Sequence, residues 1–185
     1  MSRSIAGRLL TEAQCIDEAV YAAIAGTQTP LLDEAMRRLS NAANYSRLSI
    51  AAAAVMAGRG GTRGRRAATS GLKAVAATSA VVNLALKPIG RRGRPDRGTQ
   101  TAAPARYVRM PRSRSFPSGH SASASAFAAA AGRVLPSASV PLHLLAALVA
   151  YSRVHTGVHY PGDVIAGALI GAVVADAAAR ISGTH

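Results

Sequence analysis

Apolar positions recur at helical spacing through the first quarter of the chain, then merge into longer, nearly uncharged stretches separated by basic connections rich in glycine and proline. Over residues 12–25, Ile16, Val20 and Ile24 share a face opposite Asp17 and Glu18. Over 30–43, Leu31, Leu32, Ala35, Met36 and Leu39 oppose Asp33, Glu34, Arg37 and Arg38. The spacing predicts two amphipathic helices, broken at Gly26-Thr27-Gln28-Thr29-Pro30, that lie on a membrane or on a bundle rather than crossing. A soluble helical hairpin fits the same pattern. Apolar segments follow at 47–58, 67–86, 120–135, 140–151 and 162–179. The first is short of the roughly 20 residues that span about 30 Å of hydrocarbon. The second has the length, and its one cation, Lys73, is placed to snorkel. The chain thus divides into an amphipathic region, 1–45, and a transmembrane region, 46–185.

Alternate crossing places loops 87–119 and 153–161 on one side of the membrane, and loops 59–66 and 133–139 with the C-terminus on the other. The polar blocks described below then meet on the first side.

Composition narrows the class. At 185 residues the chain is one domain. A net charge of +14 attracts nucleic acid, anionic lipid or phosphorylated substrates. Trp is absent and aromatics are 4%, which argues against base-stacking surfaces and therefore against nucleic acid. The 42 alanines, with Gly and Ser, occupy apolar stretches where small side chains let membrane helices approach closely. Glu12, Asp17 and Glu18 interrupt the region a signal peptide would use, so the membrane segments are expected to serve as the targeting signal. Cys15 reads as a small apolar residue. Residues 59–66, Arg-Gly-Gly-Thr-Arg-Gly-Arg-Arg, lack the Gly-Lys-Ser/Thr ending of a phosphate loop and read as a basic connecting loop.

Three blocks at the edges of apolar segments carry chemistry: Lys87 with Arg94-Pro95, Pro117-Ser118-Gly119-His120, and Ser152-Arg153 with His159 and Asp163. Ser118 is placed to cap a helix whose first turn holds His120, and the free N–H groups there suit a phosphate. His159-Tyr160-Pro161-Gly162-Asp163 opens the last apolar helix. Asp163 can orient one imidazole nitrogen of His159 and leave the other free to attack. Gly167 and Gly171 repeat every four residues from Asp163, a close-packing face that turns the carboxylate into the bundle. Lys87, Arg94 and Arg153 suit the oxygens of a transferring phosphoryl group. Arg91, Arg92, Arg97, Arg106, Arg109, Arg112 and Arg114 read as positive-inside loop charges. His155, His159 and Asp163 lack a second acidic cluster, so no metal site or cofactor is expected.

As an ordered set with spacing intact, these blocks resemble the signature of the type 2 phosphatidic acid phosphatase (PAP2) superfamily, over roughly residues 67–180. The resemblance implies an all-α, integral membrane helical bundle of the acid phosphatase–vanadium haloperoxidase type and a metal-independent phosphatase working through a phosphohistidine. It implies that Lys87, Arg94, Arg153, Ser118 and Gly119 bind phosphoryl oxygens and that His159 attacks while Asp163 orients it. It assigns His120 as the acid that protonates the leaving oxygen, a choice between nucleophile and acid that the residues alone leave open. Membrane members usually have six crossings, whereas at most five are countable here.

The expected partner is a lipid or polyprenyl phosphate within membrane lipids, with no nucleic acid. The compact, Ala- and Arg-rich chain looks like actinobacterial members proposed to remove the 5-phosphate from decaprenylphosphoryl phosphoribose in cell-wall arabinan synthesis. Phosphatidate, phosphatidylglycerophosphate or polyprenyl diphosphate hydrolysis, a lipid phosphotransferase, and a non-enzymatic basic membrane protein are the alternatives. Beyond the phosphate-binding cations, loop 87–119 carries seven arginines against four in 59–66, which leans towards a cytoplasmic active site.

Overall fold

The computed structural model describes residues 5–90, 92–97 and 104–181; Arg91, and position 99 with its neighbours, lie outside the described residues. The described residues form helices without strands. In chain order these are α1 (Ile5–Gly26), α2 (Pro30–Ala42), α3 (Arg47–Arg59), α4 (Gly61–Ala80), α5 (Lys87–Ile89), α6 (Gly119–Val134), α7 (Pro136–His155) and α8 (Pro161–Ile181). A π-helical stretch, Val81–Leu86, joins α4 to α5.

The two amphipathic helices are present, each within a few residues of expectation except that α1 begins at Ile5. Pro30 starts α2 because its fixed φ and missing N–H cost nothing in a first turn. The basic stretch 59–66 is corrected: only Gly60 lies between helices, and 61–66 form the first turns of α4. Gly61 has φ +56°, and a Cβ on Gly60 would stand 2.7 Å from both the Met56 carbonyl oxygen and Gly64 Cα. These glycines make a tight helical hairpin rather than a loop.

Central to the bundle is α6. Ala122, Ala126, Ala128 and Ala131 are fully buried, and α4, α7 and α8 surround them. The fit against α8 is closest, where a Cβ at Gly167 would run into the Ser118 carbonyl and one at Gly171 into the Ala122 carbonyl. Small residues therefore hold this crossing by backbone contact.

Large apolar side chains point the other way. Val140, Leu144 and Leu148 of α7, and Ile165, Leu169 and Val173 of α8, form exposed stripes at four-residue spacing. A bundle with alanine inside and leucine outside is built for a hydrocarbon solvent, and the chain is a membrane protein. The 29-residue helical run Gly61–Ile89, α7 and α8 are each long and apolar enough to cross. At 16 residues α6 reaches about 24 Å, but protein surrounds it, so it need not match the lipid thickness alone. The 13-residue α3 is shorter still, as its sequence indicated.

Polar burial concentrates at one end. There α1 and α2 cover the end of α7 and the start of α8, with Tyr21 and Ala25 packed on Val154 and Val164. Buried Asp33 of α2 accepts from Thr29 (2.9 Å), His155 (2.8 Å) and Arg106 (3.0 Å). Arg106 also donates to the Ile24 and Thr27 carbonyls, tying down the α1–α2 turn.

Candidate active site

Each block reaches the same end of the bundle for a local reason. Ser118 Oγ caps α6 through Ser121 N–H (3.4 Å), and its own N–H donates to the Asp163 carbonyl (3.0 Å), which joins the second block to the third. The first block joins through Ser113, whose hydroxyl accepts from both Lys87 Nζ and Arg94 Nη2 at 3.3 Å. Lys87 Nζ also lies 3.6 Å from where a Cβ on Gly119 would stand, so the missing side chain leaves the lysine over the α6 N-terminus.

The structure brings together His120, His159, Asp163, Lys87, Arg94, Arg153, Ser118 and Gly119. His159 follows the α7–α8 turn, where Gly157 has φ +66° and closes against Tyr21. Its Nδ1 is 3.5 Å from Asp163 Oδ2 and 3.4 Å from Ser115 Oγ, while Ser115 donates a short hydrogen bond to the same carboxylate oxygen. The His159–Asp163 contact expected from spacing is present. At 3.5 Å the contact is long, and the Ser115 hydroxyl bridges the pair. On its other side, His159 Nε2 faces Arg94 Nη1 at 3.3 Å.

Burial holds the His159 pKa down to about 4; Asp163 opposes the shift, while Arg94 and Arg153 add to it. The ring is neutral at pH 7, with Nε2 available as a lone pair. Burial likewise lowers the Arg94 pKa, against the attraction of Asp163.

Asp163 is fully buried and multiply held. It accepts from Tyr160 N–H (2.9 Å) and pairs with Arg92 (3.2 Å), which pairs in turn with Asp17 at 2.7 Å. Asp17 also accepts from Gly162 N–H, so α1 seats the start of α8.

Arg153, read from sequence as a loop cation, stands in the buried last turn of α7. Its Nη1 donates to the Ser40 carbonyl (3.1 Å) and hydroxyl (2.6 Å), and its buried Nε has no hydrogen-bond partner among the described residues. An unpartnered buried donor close to the charges of Arg94 and Arg97 is suited to an anion. Three arginines read as loop charges are corrected as well. Arg92 and Arg106 make the pairs above, and Arg97 donates to the Gly157, Val108 and Thr156 carbonyls, fixing the turn before His159. Arg109, Arg112 and Arg114 are exposed, as are Arg59, Arg63, Arg65 and Arg66 at the other end.

Sequence reasoning missed Ser115, Ser40, Asp17 and Arg92 as site residues. Ser115 alone had a local signal, since it lies just ahead of the histidine-bearing block.

The family model described as the PAP2 superfamily matches residues 69–185. A lipid A 1-phosphatase from Rhizobium johnstonii is 47% identical over 58 residues, 31% of this chain and 24% of that protein. A decaprenylphosphoryl-5-phosphoribose phosphatase from Mycobacterium tuberculosis is 41% identical over 90 residues, 48% of this chain and 47% of that protein. The chain thus spans about half or less of the length of these relatives. The structure of a transmembrane PAP2-type phosphatidylglycerolphosphate phosphatase from Bacillus subtilis superposes with a TM-score of 0.68 at 27% identity, covering 93% of this chain and 87% of that one. LpxE from Aquifex aeolicus shares the fold at the same TM-score and 24% identity, covering 88% and 93%. With its ordered blocks gathered at one end of an all-α membrane bundle, and with more than half its length matched, the chain belongs to the PAP2 superfamily.

Proposed function

We propose that this protein is a metal-independent membrane lipid-phosphate phosphatase working through a phosphohistidine. The observation that carries the reading is a neutral, buried His159 whose Nε2 faces Arg94, among cations that Asp163 alone does not balance. Lys87, Arg94, Arg153 and the N–H groups at Ser118-Gly119 hold the phosphoryl oxygens. His159 Nε2 attacks phosphorus in line, and the bond to the leaving oxygen breaks as His120 gives that oxygen a proton. His120 then takes a proton from water, whose oxygen attacks phosphorus; the P–N bond breaks and inorganic phosphate leaves.

A cavity of about 200 Å³ opens beside His120, with Lys87 and Gly119 in its wall. Ser46, Ser49, Ser79, Asn83 and Ser123 also line it, so the leaving-group side offers hydroxyls and an amide. That lining supports a hydroxylated leaving group and hence a phosphorylated sugar on a polyprenyl carrier, with decaprenylphosphoryl-5-phosphoribose, the substrate named for the mycobacterial relative, as the specific candidate. Phosphatidylglycerophosphate is the second reading, favoured by the near-complete superposition on the Bacillus subtilis phosphatase.

Release of inorganic phosphate from a panel of polyprenyl phosphoribose, phosphatidylglycerophosphate, phosphatidate and polyprenyl diphosphate tests both. Fastest release from the sugar lipid is expected, with activity that survives EDTA and is blocked by vanadate. Loss in EDTA with recovery in magnesium overturns the chemistry, and transfer of phosphate to a lipid in place of release reassigns the enzyme as a phosphotransferase.

The region 1–45 covers the site and presents Leu9, Ile16, Val20 and Leu31 outward, which supports a place at the surface of the cell membrane. Arginines that pair internally still count towards orientation, so the seven of loop 87–119 against four in 59–66 support a cytoplasmic active site. Single cysteines at Arg109 and Thr62 in a Cys15→Ser background are therefore expected to label with an impermeant thiol reagent on intact cells at 62 and not at 109. The reverse pattern overturns the cytoplasmic assignment.

A further inference from the structure

The segment between α2 and α3 has no part in the three blocks, and the match to the family begins after it. Its backbone is unusual. Tyr45 and Ser46 both adopt the left-handed region, with φ of 57° and 56°, a conformation that residues with a Cβ adopt rarely and at a cost. Asn44, immediately before them, places its side-chain oxygen 3.0 Å from His120 Nε2. Tyr45 and Ser46 line the cavity that His120 faces.

Among the described residues His120 has no carboxylate partner of the kind Asp163 gives His159. The charged groups acting most strongly on its ring are Arg153 from α7, His159 from the α7–α8 turn, Lys87 from α5 and Arg94 from the basic loop, all cations or potential cations. A ring among such neighbours needs a neutral acceptor to fix its orientation and tautomer, and the Asn44 amide is that acceptor.

We propose that Asn44 is a positioning residue for His120: its side-chain oxygen accepts Nε2–H, fixes the tautomer, and leaves Nδ1 to exchange protons with the leaving oxygen and with water. The strained Tyr45-Ser46 turn aims the amide, so the N-terminal region takes part in the chemistry. The inference rests on the phosphatase reading for the role of His120, and on geometry alone for the contact.

The test compares wild type, Asn44→Leu and Asn44→Asp on an aryl phosphate, whose leaving group needs no proton, and on phosphatidate, whose leaving group does. Asn44→Leu is expected to lower the single-turnover rate of phosphoenzyme formation from phosphatidate by about tenfold to a hundredfold, a part of the roughly 10²–10⁴ that a general acid contributes, with the same step on the aryl phosphate little changed. Asn44→Asp preserves size and adds a negative charge that favours the imidazolium. Activity that needs protonated His120 is lost as pH rises through its pKa, so the alkaline limb of kcat/KM for phosphatidate is expected to move to higher pH. Equal losses on the two substrates with an unmoved limb would make Asn44 merely structural and overturn the proposal. Titration of the His120 ring by ¹⁵N NMR, in wild type and Asn44→Asp, gives a readout without turnover: a raised midpoint supports the contact and an unchanged one refutes it. An inactive wild type would count against the phosphatase reading, and the NMR comparison would still decide Asn44.

Discussion

On the proposed mechanism His159→Ala is expected to remove turnover and, with it, any acid-labile phosphate on the protein. Among the described histidines His159 is the one with a ring nitrogen within hydrogen-bond distance of Arg94, so no other is placed to take over the attack on phosphorus. Removing a catalytic nucleophile has cost about 10⁶ in kcat where the rest of a site stayed intact, and a loss of that order is expected here. Because the ring's polar contacts, to Asp163, Ser115 and Arg94, are all long, its removal is expected to leave the fold in place, which a thermal melt of the variant verifies. Labelling with a ³²P substrate in single turnover, followed by alkaline quench, reads the intermediate directly. Phosphoprotein that persists in His159→Ala, or activity within a hundredfold of wild type, would show that the nucleophile lies elsewhere.

Asp163→Asn is expected to cost about 10⁴ in kcat, the effect seen when an orienting carboxylate becomes an amide. The carboxylate collects four donors: Ser115, Tyr160 N–H, Arg92 and, at longer range, His159. An amide offers one acceptor oxygen and turns a donor towards groups that are themselves donors. His159 then loses the bias that keeps its proton on Nδ1 and its lone pair on Nε2. Stability falls as well, but by less than the roughly 3–5 kcal/mol for breaking a buried ion pair, because Arg92 keeps Asp17 at 2.7 Å. KM should change little, since the cations proposed to bind phosphate are untouched. A variant with near wild-type kcat would show that Ser115 suffices to orient His159, and Ser115→Ala would then carry the larger loss.

Local chemistry was legible in the sequence wherever a single stretch of chain carries its own reason. The three blocks could be read because a helix start, a cation and a histidine with a carboxylate four residues on are each local patterns, and alternation of apolar segments sends their loops to one side. The Asp163–Gly167–Gly171 face was legible for the same reason, and α8 does bury it against α6. The boundaries of α2 and α3 followed from Pro30 and from apolar spacing. The Gly-rich run after Arg59 misled because glycine marks loops and tight helical hairpins alike, and only the approach of Gly60 to Met56 separates them. What the tertiary structure alone decided is which partner each charge takes. Ser40 meets Arg153 across 113 residues, Asn44 meets His120 across 76, Asp33 meets His155 across 122, and Asp17 meets Gly162 across 145. Such pairs leave no periodic trace, because any helix that lays a hydroxyl, amide or carboxylate over the end of the bundle satisfies them. The amphipathic pattern of the first 45 residues predicts only that one face is covered. Packing of that face on α7 and α8 turns Asp17, Ser40 and Asn44 from surface polar residues into supports of the site.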